Sequence, residues 1–177
     1  VQPGPGAQAA AGHARGVVQD FRNFARDVRK AEPVDLNACL IEVLALVQRE
    51  LRPGVRIIRK LGKLPLVRCL RGQMSQVFLN LVKNAVEAID KKGSITLKTL
   101  KKGGKVVVEV SDTGRGMSDD VVRKLFEPFF TTKPVGKGLG LGLSISAMIL
   151  HNHGGKISGS SRPGKGSLFR VELPLSV

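Results

Sequence analysis

The sequence predicts an α/β two-layer sandwich: a mixed, largely antiparallel sheet with helices packed on one face, plus an N-terminal helix. Three observations carry that expectation. Apolar residues recur at helical spacing in three separate segments after residue 35, so helices with one buried stripe are expected. β-Prone runs come in pairs around Gly-containing turns, at 94–111 and 156–173, as antiparallel neighbours do. The order is helices followed by paired strands, rather than the βαβ alternation of a doubly wound fold.

Each element has a local reason. Residues 1–12 hold Ala, Gly, Pro and Gln with nothing to bury and read as a disordered lead. Val17, Phe21, Phe24 and Val28 form one apolar seam of a helix that Pro33 ends. Asp35 can cap a second helix carrying Leu36, Leu40, Val43, Leu44, Val47 and Leu51, closed by Pro53-Gly54. Val55–Leu61 and Leu66–Leu70 are expected as short strands about a Gly62/Pro65 turn. A helix from about Gln73 to Asp90 gathers Met74, Val77, Phe78, Leu81, Ala85 and Ala88 on one face and stops at Lys91-Lys-Gly93. Ser94–Leu100 and Lys105–Ser111 then pair about Lys102-Gly-Gly104, and Ser118 can cap a short helix to Lys124. Phe126–Gly140 is aperiodic and rich in Gly, Pro and Thr; stretches of that length in a compact domain are usually functional or disordered. Leu141–His153 is the last helix, ended by Gly154-Gly155, with His151 and His153 as favourable charges at its C-terminus. Strands Lys156–Ser160 and Ser167–Leu173 finish the chain.

At 177 residues and 42% hydrophobic, one domain with an appendage is expected. Seven Phe with no Trp or Tyr make the core aliphatic. No apolar run approaches the roughly 20 residues that cross a bilayer, and the first residues lack the basic flank and apolar run of a signal peptide. Cys39 and Cys69 are too few and isolated for a disulfide framework, which fits two inert thiols in a reducing cytosol. The net charge of +15 is concentrated from Arg49 to Arg71, but no nucleic-acid-binding motif accompanies it, so no nucleic acid is expected as partner.

Three constellations carry chemistry. Asn80 and Asn84, four apart, share one face of their helix, with Glu87 a turn further on. They are either two solvated amides or donors toward a hydrated Mg²⁺, to which an Asn oxygen is a suitable ligand. Asp112-Thr-Gly114-Arg-Gly116 directly follows the surest strand. It is either an Asx-type turn or a carboxylate accepting from a base's amino group, with Gly114 and Gly116 letting backbone pass close to the ring. Gly136-Lys137-Gly138-Leu139-Gly140-Leu141-Gly142 precedes a helix, where bare N–H groups meet phosphate readily. It has neither the dinucleotide nor the P-loop spacing.

In this order the boxes resemble the catalytic, ATP-binding domain of two-component sensor histidine kinases. Gln76–Ala88 is similar to the N box, Asp112–Met117 to the first glycine box, Phe126-Glu-Pro-Phe-Phe-Thr-Thr-Lys133 to the F box, and Gly138–Gly142 to the second glycine box. The resemblance runs from Asp35 to the end and includes the closing Gly164–Pro174 hairpin. After the lead at 1–12, it implies a remnant of the second dimerisation helix and linker at 13–33 and the catalytic domain at 34–177.

The resemblance also implies ATP and Mg²⁺ as cofactors. Asn84 would hold the metal and Asp112 the adenine amino group. Gly114, Gly116 and Met117 would line the base, and Asn80 would sit near the phosphates. Glu87, Lys133 or Lys137, the run Gly138, Leu139, Gly140, Leu141 and Gly142, and Ser167 complete the expected site, with Asn80 and Lys133 nearest the reaction. Where ATP-hydrolysing relatives carry a water-activating Glu this chain has Asn80, which cannot act as a base. Transfer of the γ-phosphoryl to a protein His, rather than hydrolysis, is expected, because phosphoryl transfer rests mainly on positioning and charge. The phospho-accepting His motif has no match, His13 included, so the chain is expected to be a C-terminal piece of a homodimeric, cytoplasmic-facing parent. Its partners would be that parent's dimerisation and phosphoacceptor domain and a response regulator receiver domain. A serine kinase or ATPase of the same superfamily, or a nucleotide-binding regulatory remnant, is the alternative.

Overall fold

The computed structural model describes residues 31–134 and 138–175. The seam helix expected at 17–28, the lead before it and Lys137 lie outside the described residues. In chain order the elements are β1 (Glu32–Val34), α1 (Leu36–Val47, followed by a 3₁₀ turn at Gln48–Glu50), β2 (Val55–Leu61), β3 (Val67–Cys69), α2 (Arg71–Ala88), β4 (Gly93–Lys102), β5 (Lys105–Asp112), α3 (Asp119–Lys124), α4 (Gly142–Asn152), β6 (Lys156–Arg162) and β7 (Gly166–Pro174). The main sheet has the order β2-β4-β5-β7-β6; β2 runs parallel to β4 and every other neighbour is antiparallel. Parallel neighbours need a long crossover, and α2 supplies it. The helices cover one face of this mixed sheet, as the sequence predicts.

The helix stripes explain why. Leu36, Cys39, Leu40, Val43, Leu44 and Val47 of α1 are buried, as are Met74, Val77, Phe78, Leu81, Val82, Ala85 and Val86 of α2. Burying one such side chain stabilises by about 1.5–3 kcal/mol, whereas a mid-helix Asn costs up to about 0.7 kcal/mol. Seven buried side chains therefore easily carry Asn80 and Asn84 within α2. At the head of α1, Asp35 Oδ1 accepts from Asn37 N–H at 2.8 Å and Ala38 N–H at 3.2 Å, the cap read from the sequence.

The sheet shows period-two alternation. Ile95 and Leu97 of β4, Val106, Val108 and Val110 of β5, and Phe169, Val171 and Leu173 of β7 are buried in the core. The intervening positions carry a charge ladder, in which Glu109 pairs with Arg170 at 2.5 Å and with Lys98 at 3.4 Å. The two cysteines are buried and free, and burial pushes the Cys69 thiol up to about 12, so it stays protonated.

Pro33 sits in β1, a strand the sequence did not lead one to expect, which pairs antiparallel with β3 as a separate two-stranded ribbon; the helix it was expected to end lies outside the described residues. The strands flanking the Gly62/Pro65 turn therefore belong to different sheets. His153 is not simply a cation at a helix end. Its Nε2 accepts the Leu70 N–H at 3.1 Å while Nδ1 faces the Ile149 carbonyl at 2.7 Å, so the ring is the neutral Nδ1–H tautomer joining the end of α4 to the start of α2. No helix among the described residues is long and apolar enough to cross a membrane.

Candidate functional site

Asp112 owes its place to strand phase. It follows Val106, Val108 and Val110 at the same alternation, so its carboxylate must point into the interface between sheet and helices. It is only 6% exposed, opposite Ile95 on β4 and Ser167 on β7. Its Oδ1 accepts the Gly114 N–H at 2.8 Å. Burial pushes the Asp112 carboxyl above the ordinary carboxylate range; the Gly114 N–H, and the N–H and hydroxyl of Ser167, offset part of that penalty. A polar chain supports it: Met117 N–H donates to Ser161 Oγ at 2.8 Å, Ser161 Oγ donates to the Gly166 carbonyl at 2.7 Å, and Ser161 Oγ lies 3.1 Å from Ser167 Oγ.

Two glycines let the backbone turn here. Gly116 has φ +67°, and a Cβ on it would stand 1.9 Å from the Arg162 carbonyl oxygen. A Cβ on Gly114 would stand 2.3 Å from the Ala88 carbonyl oxygen, so this turn lies directly on the end of α2.

The α2 face carries the amides. Asn80 Nδ2 donates to the Gly142 carbonyl at 3.0 Å and to Ser146 Oγ at 3.2 Å, tying α2 to the first turn of α4. Asn84 takes part in neither bond and faces the cleft. Glu87, three residues on, pairs with Lys133 at 2.5 Å. No side chain caps α4, and its first turn has no acidic residue. Its opening N–H groups therefore stand available to an anion.

Together these elements enclose a cleft of about 650 Å³, within the range of small-molecule sites. Its lining includes Asn80, Asn84, Glu87, Asp112, Gly116, Met117, Lys133, Gly138, Leu139, Gly140, Leu141, Gly142 and Ser167. Of the residues singled out from the sequence, Gly114 does not line it and packs behind, against α2. The lining also holds Lys83, Arg115, Leu125, Ile145 and Phe169, which the sequence reading passed over. Lys83, directly before Asn84, was the one a helical projection of α2 could have found.

A buried carboxylate at one end, an uncapped helix start beyond a glycine run, and an apolar wall between them suit a ligand with a polar heterocycle and an anionic tail. The donor set also fits a hydrated cation. Among the described residues no group of three or more His, Cys, Asp or Glu forms a metal cage. The Asn84 oxygen is the sparse protein ligand that suits Mg²⁺ when phosphates and water supply the remaining positions.

This architecture and cleft define an ATPase-type catalytic domain, and comparison with known proteins agrees. The chain belongs to the histidine kinase-, DNA gyrase B- and HSP90-like ATPase family, whose model matches residues 70–177. Within it, the similarities are to sensor histidine kinases. The chain is 38% identical over 181 residues to the sensor kinase CckA of Brucella abortus, covering 93% of this chain and 19% of that one. It thus spans about a fifth of that relative's length. The catalytic domain of histidine kinase ThkA superposes with a TM-score of 0.74 at 33% identity, covering 83% of this chain and 97% of the other. ThkA in complex with the response regulator protein TrrA gives 0.74 at 28% identity, with 96% and 49% covered. Full-length ShkA in complex with AMPPNP gives 0.78 at 30% identity, with 92% and 36% covered.

Proposed function

We propose that the cleft binds Mg²⁺-ATP and that the domain hands its γ-phosphoryl to a histidine on a companion dimerisation domain, for relay to a response regulator aspartate. The observation that carries the reading is Asp112: a carboxylate desolvated at the cleft's inner end, aimed by strand phase, is the acceptor that a purine amino group needs. Gly116 and Met117 flank the base, with Ser167 beside the carboxylate. Asn84 would hold Mg²⁺, which when bound offsets phosphate charge. The N–H groups at Gly142 and the run from Gly138 face the triphosphate, with Lys133 at its outer end.

In this reading the phosphoryl leaves the β–γ bridging oxygen, ADP departs, and a P–N bond forms on the acceptor imidazole. Asn80 has no basic atom to activate water, and its amide is already engaged with α4. That favours a protein nucleophile over hydrolysis. The ThkA complex with TrrA and the ShkA complex with AMPPNP support the partner and the nucleotide by similarity. A homodimeric parent with this domain in the cytoplasm follows from the same reading, as does the division into lead (1–12), helix remnant (13–33) and catalytic domain (34–177).

Calorimetry with an ATP analogue tests it. Wild type should bind more tightly with Mg²⁺ than without, and Asn84→Ala should lose that difference while keeping its melting temperature. Absence of binding by wild type in either condition would sink the proposal.

A further inference from the structure

Three basic side chains line the described part of the cleft: Lys83, Arg115 and Lys133. Each faces a carboxylate, Lys83 with Glu50 at 3.3 Å, Arg115 with Asp90 at 3.9 Å, and Lys133 with Glu87 at 2.5 Å. Glu50 and Asp90 lie outside the lining, so those two pairs draw their cations away from the cleft. Glu87 is itself part of the lining, so only the third pair runs from one wall to another.

The Lys133 stem also lies on the head of the second glycine run. A Cβ on Gly138 would stand 3.0 Å from Lys133 Cδ and 3.8 Å from Nζ. At its own root, Lys133 N–H donates to Thr131 Oγ1 at 3.1 Å. Lys133 thus holds Thr131 through its backbone N–H and reaches Gly138 and the end of α2 through its side chain, which is only 31% exposed.

We propose that Glu87 is a positioning residue: its ion pair with Lys133 straps residues 131–133 and the start of the glycine run to α2, across the mouth of the cleft beside Asn84. Glu87 acts through Lys133 and needs no contact with the reacting atoms. The strap exists without ligand, and any anion passing to the α4 N-terminus must wait for it to open. Access and release are therefore governed by the same charge pair.

The first test uses nucleotide-free protein. Hydrogen exchange at amides 131–133 and 138–140 should quicken in Glu87→Gln and in Lys133→Met by about three- to fivefold, the shift expected when a partly exposed ion pair is removed. The charge-swapped double variant, Glu87→Lys with Lys133→Glu, should return exchange to the wild-type rate. Restoration by the swap is a result that a merely structural role for either side chain would not give. Unchanged exchange in the single variants, or no recovery in the swap, overturns the proposal.

The second test rests on the nucleotide reading. In stopped flow with a fluorescent ATP analogue, Glu87→Gln should speed both association and dissociation. An altered affinity at unchanged rates would refute the gating role. If wild type binds no nucleotide, the nucleotide reading falls while the exchange result still decides the strap.

Discussion

Replacing Asp112 by Asn separates what this carboxylate does for a ligand from what it costs the fold. The substitution is nearly isosteric and keeps one oxygen to accept the Gly114 N–H, now at 2.8 Å. It removes the charge, and it sets an NH₂ donor where the wild type offers only acceptors. A hydrogen bond to a charged partner is worth about 1.5–3 kcal/mol, so ATP affinity should fall by about ten- to a hundredfold. Inosine triphosphate carries a carbonyl in place of the amino group and makes no such bond to a carboxylate. Its affinity should hold or rise, and the wild-type preference for ATP over inosine triphosphate should collapse. Titration calorimetry with both nucleotides measures this ratio directly.

Stability should move the other way. The folded-state pKa of Asp112 is raised, chiefly by desolvation. The stability linked to it is therefore fully present below the unfolded-state pKa and is lost as pH rises through the folded-state value. At neutral pH the ionised side chain opposes folding, and Asp112→Asn should melt no lower than wild type. The gap should widen as pH rises through the folded-state pKa and close in acid. An unchanged ATP preference, or a variant that melts well below wild type at pH 7, would refute the reasoning.

Two stability predictions follow from the joints around the cleft. Gly116→Ala forces a side chain into φ +67° against the Arg162 carbonyl. It should cost more than about 2 kcal/mol in urea denaturation, since the left-handed conformation alone accounts for about 1–2 kcal/mol; an unaffected midpoint would mean the turn relaxes freely. His153→Ala leaves the Leu70 N–H without its acceptor and should cost about 1–3 kcal/mol, with hydrogen exchange rising at Leu70 and the start of α2. Protection unchanged at Leu70 would show that water replaces the ring at no cost.

Much of the site was legible because period and chemistry coincide. Val106, Val108 and Val110 announce a strand whose next in-phase position is Asp112, and the helical stripe of α2 leaves Asn80 and Asn84 on a shared face. The elements close to a strong period were placed to within a few residues for the same reason. β1 was not legible: a three-residue strand has no period to detect, and Pro33 reads locally as a stop signal. Its only sign is tertiary, the pairing with β3. His153 was misread because a histidine at a helix end has a good local explanation, and its partner Leu70 lies 83 residues away. Lys83 and Arg115 look like solvated surface in the sequence, and only the fold shows that they border the cleft. Phe169 and Leu125 join the lining from elements whose own patterns speak only of core.

The two asparagines of α2 show how far a shared stripe can mislead about role. Both project from one face, yet Asn80 spends its NH₂ on the Gly142 carbonyl and Ser146 Oγ, while Asn84 is spared for the cleft. A carboxylate at position 80 could not donate to the Gly142 carbonyl and would face it acceptor to acceptor. Installing a water-activating Glu there would thus do more than add a base: it would break the bond that holds the α4 N-terminus against α2. The placing of the α4 N-terminus against α2 and the absence of a base at position 80 are consequences of the same amide. A gain of hydrolysis by this route would require a second change, at Ser146 or in the α4 first turn, to restore the joint.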